Sequence, residues 1–599
     1  MTLMLRRAGR PCLLLAALWA CAVQADTYHD QQHELVRASR AVSALGPNLF
    51  GDKINHYTGA LEFVQLDVGL PGNDGLGVGV GRRLVPGYAA RQRLGAFGNW
   101  DLELPRIQGT FSSKYGWSFG LGKGTDRCSN FTGPGTVTGT NGDSFWDQEE
   151  YWKGHQLYVP GAGADEILKV GPTTPAVPAD GQSYPLVTRH QWALRCTALA
   201  SNAFTTASVN NQGEGFIARS PDGVTWRFDW LVRRKTDVMY RSTVSPQAAT
   251  PPGKVATAVG TPSLLRDDVW LLPTEARDRF GNTVSYAYDP AAPWRLKTIT
   301  GSDGRVITLS YGSGSDRVTS ITDGTRSWTY SYSSAGELLS VTQPDGSLLG
   351  ISGADTISVT PHYSKDPGCA GLGDEAVSPF TGVISFTHPS GATGSFTVQP
   401  VSHARSYVPQ NCFGDYGTFA RFPRYFATTA LTAKQIGGPG LPTLSWTYSY
   451  SSAANQGSWS DCSGSCPETK TVTVDGSDGR RLVHVFGTRV DRTEGQLLRL
   501  DEGPTSGGVL RSTASSHRIG REMGISILQM GDSASAVRTD PLQQRTITQQ
   551  GTSFSWSATA FDSFERVTSQ QRSGPGGSLS ETLSYEDKLG QWVLGQLKT

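Results

Sequence analysis

Ser327-Trp-Thr-Tyr-Ser-Tyr332, then Leu338-Leu-Ser-Val-Thr342, then Gln343-Pro-Asp-Gly346, is the stretch from which the fold is read. Trp328, Tyr330 and Tyr332 alternate with Ser327, Thr329 and Ser331, the two-residue period of a strand with one apolar and one polar face. Asp345-Gly346 supplies the turn that reverses such a strand. Working outward, Val284, Tyr286 and Tyr288 repeat the pattern, as do Ile307, Leu309 and Tyr311. Each tyrosine strand is followed by a second short one: Leu296 to Thr300, Arg317 to Thr322 and Leu338 to Thr342. Gly281, Gly304, Gly324 and Gly346 recur at 23, 20 and 22 residues, three of them after Asp303, Asp323 and Asp345. The unit is a β-hairpin of about twenty residues, and hairpins repeated at one period build an extended sheet. Each tyrosine ring can cover a neighbouring hairpin while its hydroxyl reaches backbone or solvent. The fold class expected is all-β.

Composition agrees with that reading. Gly is 71 of 599 residues, Met is only 5, and Trp, Tyr and Phe number 15, 20 and 22, a mix that favours turns and aromatic-faced strands. The 53 Lys+Arg against 52 Asp+Glu leave no net field to recruit nucleic acid or anionic lipid. Leu35, Ala38, Val42 and Leu45 are spaced as a helix that Gly46-Pro47 stops. The expected organisation is a signal peptide over 1–25, a β-rich region over 26–245, a Pro/Thr/Ala/Gly-rich linker over 246–263, and a repeat sheet over 264–599. The repeat pattern is open or truncated at the C-terminus, so an unpaired edge is expected around Leu583 to Val593.

Arg6, Arg7 and Arg10 precede an uncharged run from Cys12 to Val23, too short to span a bilayer, and cleavage after Ala25 is expected. The chain is therefore read as secreted or cell-surface. The rival at this segment is Leu18-Trp-Ala-Cys21, similar to a bacterial lipobox, which would leave Cys21 lipidated. Six cysteines remain after cleavage, and their order suggests the pairs Cys128–Cys196, Cys369–Cys412 and Cys462–Cys466 among fifteen possible pairings.

The segments Asp278-Arg-Phe-Gly-Asn-Thr-Val-Ser-Tyr-Ala-Tyr-Asp289 and Trp328 to Gly346 resemble YD repeats of the RHS (rearrangement hotspot) proteins. Fainter copies are Trp446-Thr-Tyr-Ser-Tyr450 and Phe561-Asp-Ser-Phe-Glu-Arg566, and Tyr57 to Phe63 with Leu70-Pro-Gly-Asn73 resembles the opening of secreted bacterial RHS-type proteins. The resemblance implies a spiralling, shell-like β-sheet that encloses a hollow, often around a C-terminal toxin, or a surface protein engaging neighbouring cells. Its repeat-defining residues are Gly281, Tyr286, Tyr288, Asp289, Gly304, Tyr311, Gly324, Tyr330, Tyr332 and Gly346. It implies a non-enzymatic role without cofactor, and as partner a toxin, a remaining shell segment on another chain, or a cell-surface glycan.

The chemical motifs are weaker than the repeat. Gly116-Trp-Ser-Phe-Gly120 has the G-x-S-x-G spacing, but a turn follows where a nucleophile elbow requires a helix, so Ser118 is not expected to be catalytic. His29 and His33 are spaced as metal ligands without a third partner. Trp146, Asp147 and Trp152, near Glu149 and Glu150, have the composition of a glycan contact. That segment keeps two alternatives open: a carbohydrate-binding adhesin and an extracellular glycosidase.

Overall fold

The structure is a computed structural model. It describes residues 49–598 except 73–74, 88–94, 121–123, 141–144, 237, 241–262, 355–356, 358–360, 366–371, 378, 410–411, 414–418, 421–422, 465 and 529–536. The signal segment, the helix expected over Leu35 to Leu45, His29, His33 and Cys369 lie outside the described residues, as does the side chain of Cys412.

Each repeat hairpin is built by three local devices. At the turn, the Asp278 carboxylate accepts from the amides of Phe280 and Asn282 at 2.8 and 2.9 Å, while Gly281 sits at φ +93°, where a side chain would be strained. Along the first strand, burial alternates as the sequence period predicts, with Trp328 and Tyr330 inside and Ser327, Thr329 and Ser331 outside.

In the second strand the ladder shifts register, at the step opposite Ala287/Tyr288, Ser310/Tyr311 and Ser331/Tyr332. Each bulge holds one extra residue: Lys297, Thr319 or Leu339. It therefore brings residues three apart to one face, so that Leu296 and Ile299, Val318 and Ile321, and Leu338 and Val341 are all buried. A bulge also raises the local twist, and its repetition curls the ribbon.

The tyrosines stitch successive hairpins together. Tyr288 Oη donates to the Pro273 carbonyl at 2.8 Å, Tyr311 Oη to Leu296 at 2.8 Å and Tyr332 Oη to Val318 at 2.6 Å. Leu296 and Val318 are themselves the ladder partners of Tyr288 and Tyr311, so the bonds form a chain from one hairpin to the next. Tyr450 to Leu431 and Tyr585 to Val567 repeat it at 2.7 and 2.9 Å. Asp289 opens the following turn by accepting from Ala291 N at 3.0 Å. Replacing Tyr311 by Phe removes one stitch, that to the carbonyl of the buried Leu296, and is expected to lower stability by about 1 kcal/mol, measured by equilibrium urea unfolding.

The chain is nearly all β. The N-terminal sheet contains β1 (Asp52–Ile54), β2 (Leu61–Leu70), β3 (Val78–Leu84) and β4 (Asp101–Leu102) in that order. Next comes a ring of antiparallel pairings: β5 (Arg106–Ser112), β6 (Gln156–Val159), β7 (Gly163–Lys169), β8 (Leu186–Thr188), β9 (Ala193–Ala198), β10 (Glu214–Arg219), β11 (Thr225–Lys235) and β12 (Arg266–Arg277). Each strand pairs with the next, and β12 returns to β5, closing an eight-stranded barrel. Its interior is filled by buried aromatics, including Phe111, Trp117, Phe216 and Phe228. β11 and β12 pair directly across residues 246–263, so the barrel takes strands from both sides of the expected linker.

The wall departs from the barrel at β12. One edge of β12 pairs with β11 along its length; the other is shared between β5, over Arg266 to Leu271, and β13 (Thr283–Tyr288), over Glu275 to Arg277. Pro273, which has no amide hydrogen to donate, lies between the two halves, and the register of β11 shifts opposite it. From β13 the same sheet continues antiparallel through strands including Tyr425–Gly438 and Thr469–Gly476 to Gly577–Thr582. It then comes back to the barrel. The hairpin Tyr585–Lys588/Val593–Leu597 docks there, with Trp592 buried against Tyr184 and Ala193, its Nε1 donating to Gln191 O at 2.9 Å, and Leu594 N donating to Pro221 O at 2.8 Å. The strand Tyr585–Lys588, where the sequence predicts an unpaired edge, pairs with Val593–Leu597 on one side, no strand among the described residues pairs with its other side, and Trp592 seats the hairpin on the barrel.

The N-terminal sheet lies against the inner face of the wall. Phe50, Phe63, Val80 and Trp100 share one core with Tyr286, Ile307, Phe386 and Phe396. Polar contacts set the fit: Tyr330 Oη to Asp67 at 3.0 Å, Leu338 N to Asn99 Oδ1 at 3.0 Å, Val318 N to Ala96 O at 2.8 Å, and Lys434 Nζ to Asp52 at 2.5 Å.

Candidate partner-binding edge and inner face

Ladder partners share a face of a sheet, so the inner face can be followed from strand to strand. One row runs Val472, His484, Leu500, Thr513, Ile547, Phe554. Val472 is fully buried and His484 is 7% exposed, whereas Phe554 is 50% exposed. The row beside it runs Ser515, Arg545, Trp556, Arg572, Leu579, and ends with Leu579 at 56%. The cover provided by the N-terminal sheet therefore stops near the strand Arg480–Gly487, and the last strands continue the same face uncovered. The opposite face reads Arg499, Ala514, Thr546, Ser555, Ser573, Ser578, a small and polar surface suited to solvent. These strands are patterned to bury their inner side, and large apolar groups left open on that side mark an interaction surface.

A groove of about 540 Å³ lies on this inner face, lined by Ile547, Phe554, Leu579, Trp556, Arg545 and Arg572. Trp556 Nε1 donates to Gln570 Oε1 at 2.7 Å, and Arg572 stands 3.4 Å from Glu581. Gly577–Thr582 borders the groove. It pairs with Val567–Gly574 on one side, and no strand among the described residues pairs with its other side. That edge has no proline or bulge, features by which sheets commonly block further pairing, and its one charged residue, Glu581, is tied to Gln570 and Arg572.

The motif residues read from the sequence are largely buried. Trp146 and Trp152 are 1% exposed and belong to the barrel's apolar core, so neither ring has a face for a sugar. Asp147 accepts from Thr136 Oγ1 at 3.0 Å. Ser118 is buried and donates to Tyr115 O at 2.7 Å. Cys128–Cys196 and Cys462–Cys466 are disulfides. Among the described residues no three His, Cys, Asp or Glu side chains could hold a metal ion together, and no helix is long and apolar enough to cross a membrane. Arg545, Trp556 and Arg572 were not singled out by the sequence reading, because each sits in a different strand and only the ladder makes them a row.

Residues 313–348 match the RHS Repeat family model. No curated protein matches the chain. Among solved structures, the chain aligns with a TcdB2-TccC3-TEV crystal structure at 8% identity and TM-score 0.14, over 93% of this chain and 28% of that one. It aligns with a Photorhabdus luminescens Tc holotoxin pore at 10% identity and TM-score 0.13, over 89% of this chain and 27% of that one. The chain thus spans little more than a quarter of those chains, and at these scores the alignments carry no argument.

Proposed function

With an RHS repeat built into its wall at residues 313–348, this chain is, we propose, a non-catalytic scaffold of the RHS/YD type. It is an exported wall segment of a toxin- or effector-associated shell, or of a cell-contact surface. The observation that carries the reading is the open inner face of the last strands beside the unpaired edge Gly577–Thr582. A strand added to that edge would continue the sheet, and its inward side chains would extend the row of Trp556, Arg572 and Leu579 over the groove. The fitting partner is a polypeptide with the wall's own pattern, apolar inward and Ser/Thr outward, on another chain of the shell or on its cargo. The adhesin alternative loses its main support with the burial of Trp146 and Trp152.

A photo-crosslinking residue at Ser580 in the full chain, expressed in its source cells, tests this. The expected result is a light-dependent adduct with a second polypeptide, reduced at least about tenfold by Leu579→Lys, which puts a charge where an added strand must pack. An absence of adducts, or adducts indifferent to Leu579→Lys, would refute the reading.

A further inference from the structure

At the boundary where inner-face cover ends, the loop from Asn55 to Ala60 is fastened to the wall by a cluster of basic groups. His56 stacks on His484 with ring centroids 4.4 Å apart and 14° between planes. Lys470 Nζ donates to His403 Nδ1 at 2.9 Å and lies 3.7 Å from the Tyr57 ring centre. His403 Nε2 lies 2.9 Å from the carbonyl oxygen of Thr58, to which Thr428 Oγ1 also donates at 2.5 Å. The loop backbone is bound too, with Leu431 N donating to Gly59 O at 2.9 Å.

This arrangement requires uncharged rings. Nε2 faces two oxygens, the Thr58 carbonyl and Thr428 Oγ1 at 2.8 Å; a carbonyl only accepts and Thr428 gives its hydrogen to that same carbonyl, so Nε2 carries the hydrogen and Nδ1 keeps its lone pair for Lys470. A proton on Nδ1 would end the bond from Lys470 as it stands. His56 and His484 lie face to face, and the Nδ1 atoms of both are buried without a hydrogen-bond partner. Burial, and secondarily the neighbouring His484, pushes His56 down to about 4; burial also lowers His484, and pushes Lys470 well below the ordinary lysine value.

Acidic and other charged groups face the cluster from the elements around it. Glu494 acts on Lys470, but is itself held by Arg405 through two bonds of 2.8 and 3.0 Å. Glu502 acts on His484 from the next strand. Asp52 is bonded to Lys434, and burial raises its pKa, so that it gains a proton earlier than an ordinary carboxylate as pH falls.

We propose that this junction is an acid-labile latch, in which protonation of the His56/His484 and His403/Lys470 pairs releases the Asn55–Ala60 loop and lengthens the open inner face of the wall. The sign follows from linkage. A histidine whose pKa is depressed when the loop is docked binds a proton more readily once the loop is free. Docking therefore keeps its full strength above the ordinary value of 6.5 and weakens as pH falls from there towards 4. His56 contributes a weakening on the order of 10- to 100-fold by about pH 4.5. The latch goes beyond the scaffold reading and needs no partner to be observed, so either can fail without the other.

Amide hydrogen exchange on the full chain, corrected for intrinsic rates, tests it between about pH 7 and about pH 4.5. Protection across Ile54 to Glu62 is expected to fall at least about tenfold while the barrel strands Glu214–Arg219 and Thr225–Lys235 keep theirs within about threefold. His56→Phe keeps the ring stack without its main titrating group and should abolish most of the fall; His484→Phe removes the second titrating ring of the stack and should diminish it, should the first variant misfold. Unchanged protection at the lower pH, a parallel loss in the barrel, or an undiminished fall in both variants would overturn the latch.

Discussion

Replacing Glu494 by Ala is expected to lower the unfolding free energy by about 3 to 5 kcal/mol, measured by equilibrium urea unfolding. Arg405 is fully buried, and Glu494 binds it through both carboxylate oxygens while also accepting from Tyr57 Oη at 3.4 Å. Without Glu494 the guanidinium would lose both of these bonds in a site where Ser406, Ser458 and Thr488 are all buried and water cannot replace the lost acceptor. The double change Arg405→Met with Glu494→Leu should recover most of the loss, because two apolar groups of similar volume carry no desolvation penalty. A single-variant loss below about 1 kcal/mol would mean that the pair is solvated in the folded protein.

The second large effect is expected at the barrel disulfide. Cys128 and Cys196 are 68 residues apart in sequence, and their bond joins the loop segment after Arg127 to β9. On the chain-entropy account, closing a loop of that length stabilises by about 4 kcal/mol, so Cys128→Ser with Cys196→Ser should lower stability by about that amount. Arg127 remains as a second tie across the same gap. It is fully buried and donates to the carbonyls of Trp117, Gln212 and Asn210 at 2.8, 2.6 and 2.7 Å. The loss should therefore appear as a lower unfolding midpoint with the barrel still formed, by near-ultraviolet circular dichroism from its buried tryptophans. A change within about 0.5 kcal/mol would show that the unfolded chain is already constrained there.

Parts of this architecture were legible in the residues, and the boundary of legibility is physical. Trp328 and Tyr330 could be assigned to the inner face because alternation in a strand is a property of one chain segment. Leu338 and Val341 could not: three apart, they belong on opposite faces of a regular strand, and only the bulge at Leu339 turns both inward. A bulge is a relation between two strands, so its signature in one of them looks like a broken pattern. Trp146 and Trp152 show the same limit. Their composition suits a sugar platform as well as a core, and the choice was made by the packing of the segment between β5 and β6 against the apolar residues of the barrel strands. The open inner face was less legible still. Arg545, Trp556 and Arg572 become neighbours through two ladders, and their exposure depends on how far a separate sheet, encoded some five hundred residues earlier, extends over the wall.

The sequence by itself determined the hairpin unit. Asp-Gly turns, alternating aromatic strands and a period near twenty residues are local, and the backbone conformations they require are available only to residues such as the turn glycines. Tertiary structure alone decided that the sheet closes into a barrel at one end, that the wall curls back onto it, and that one face is covered for part of its length and bare for the rest. The reason is that register, closure and cover are set by contacts between segments far apart in the chain. Their stability comes from burial shared among partners that no single stretch of sequence contains.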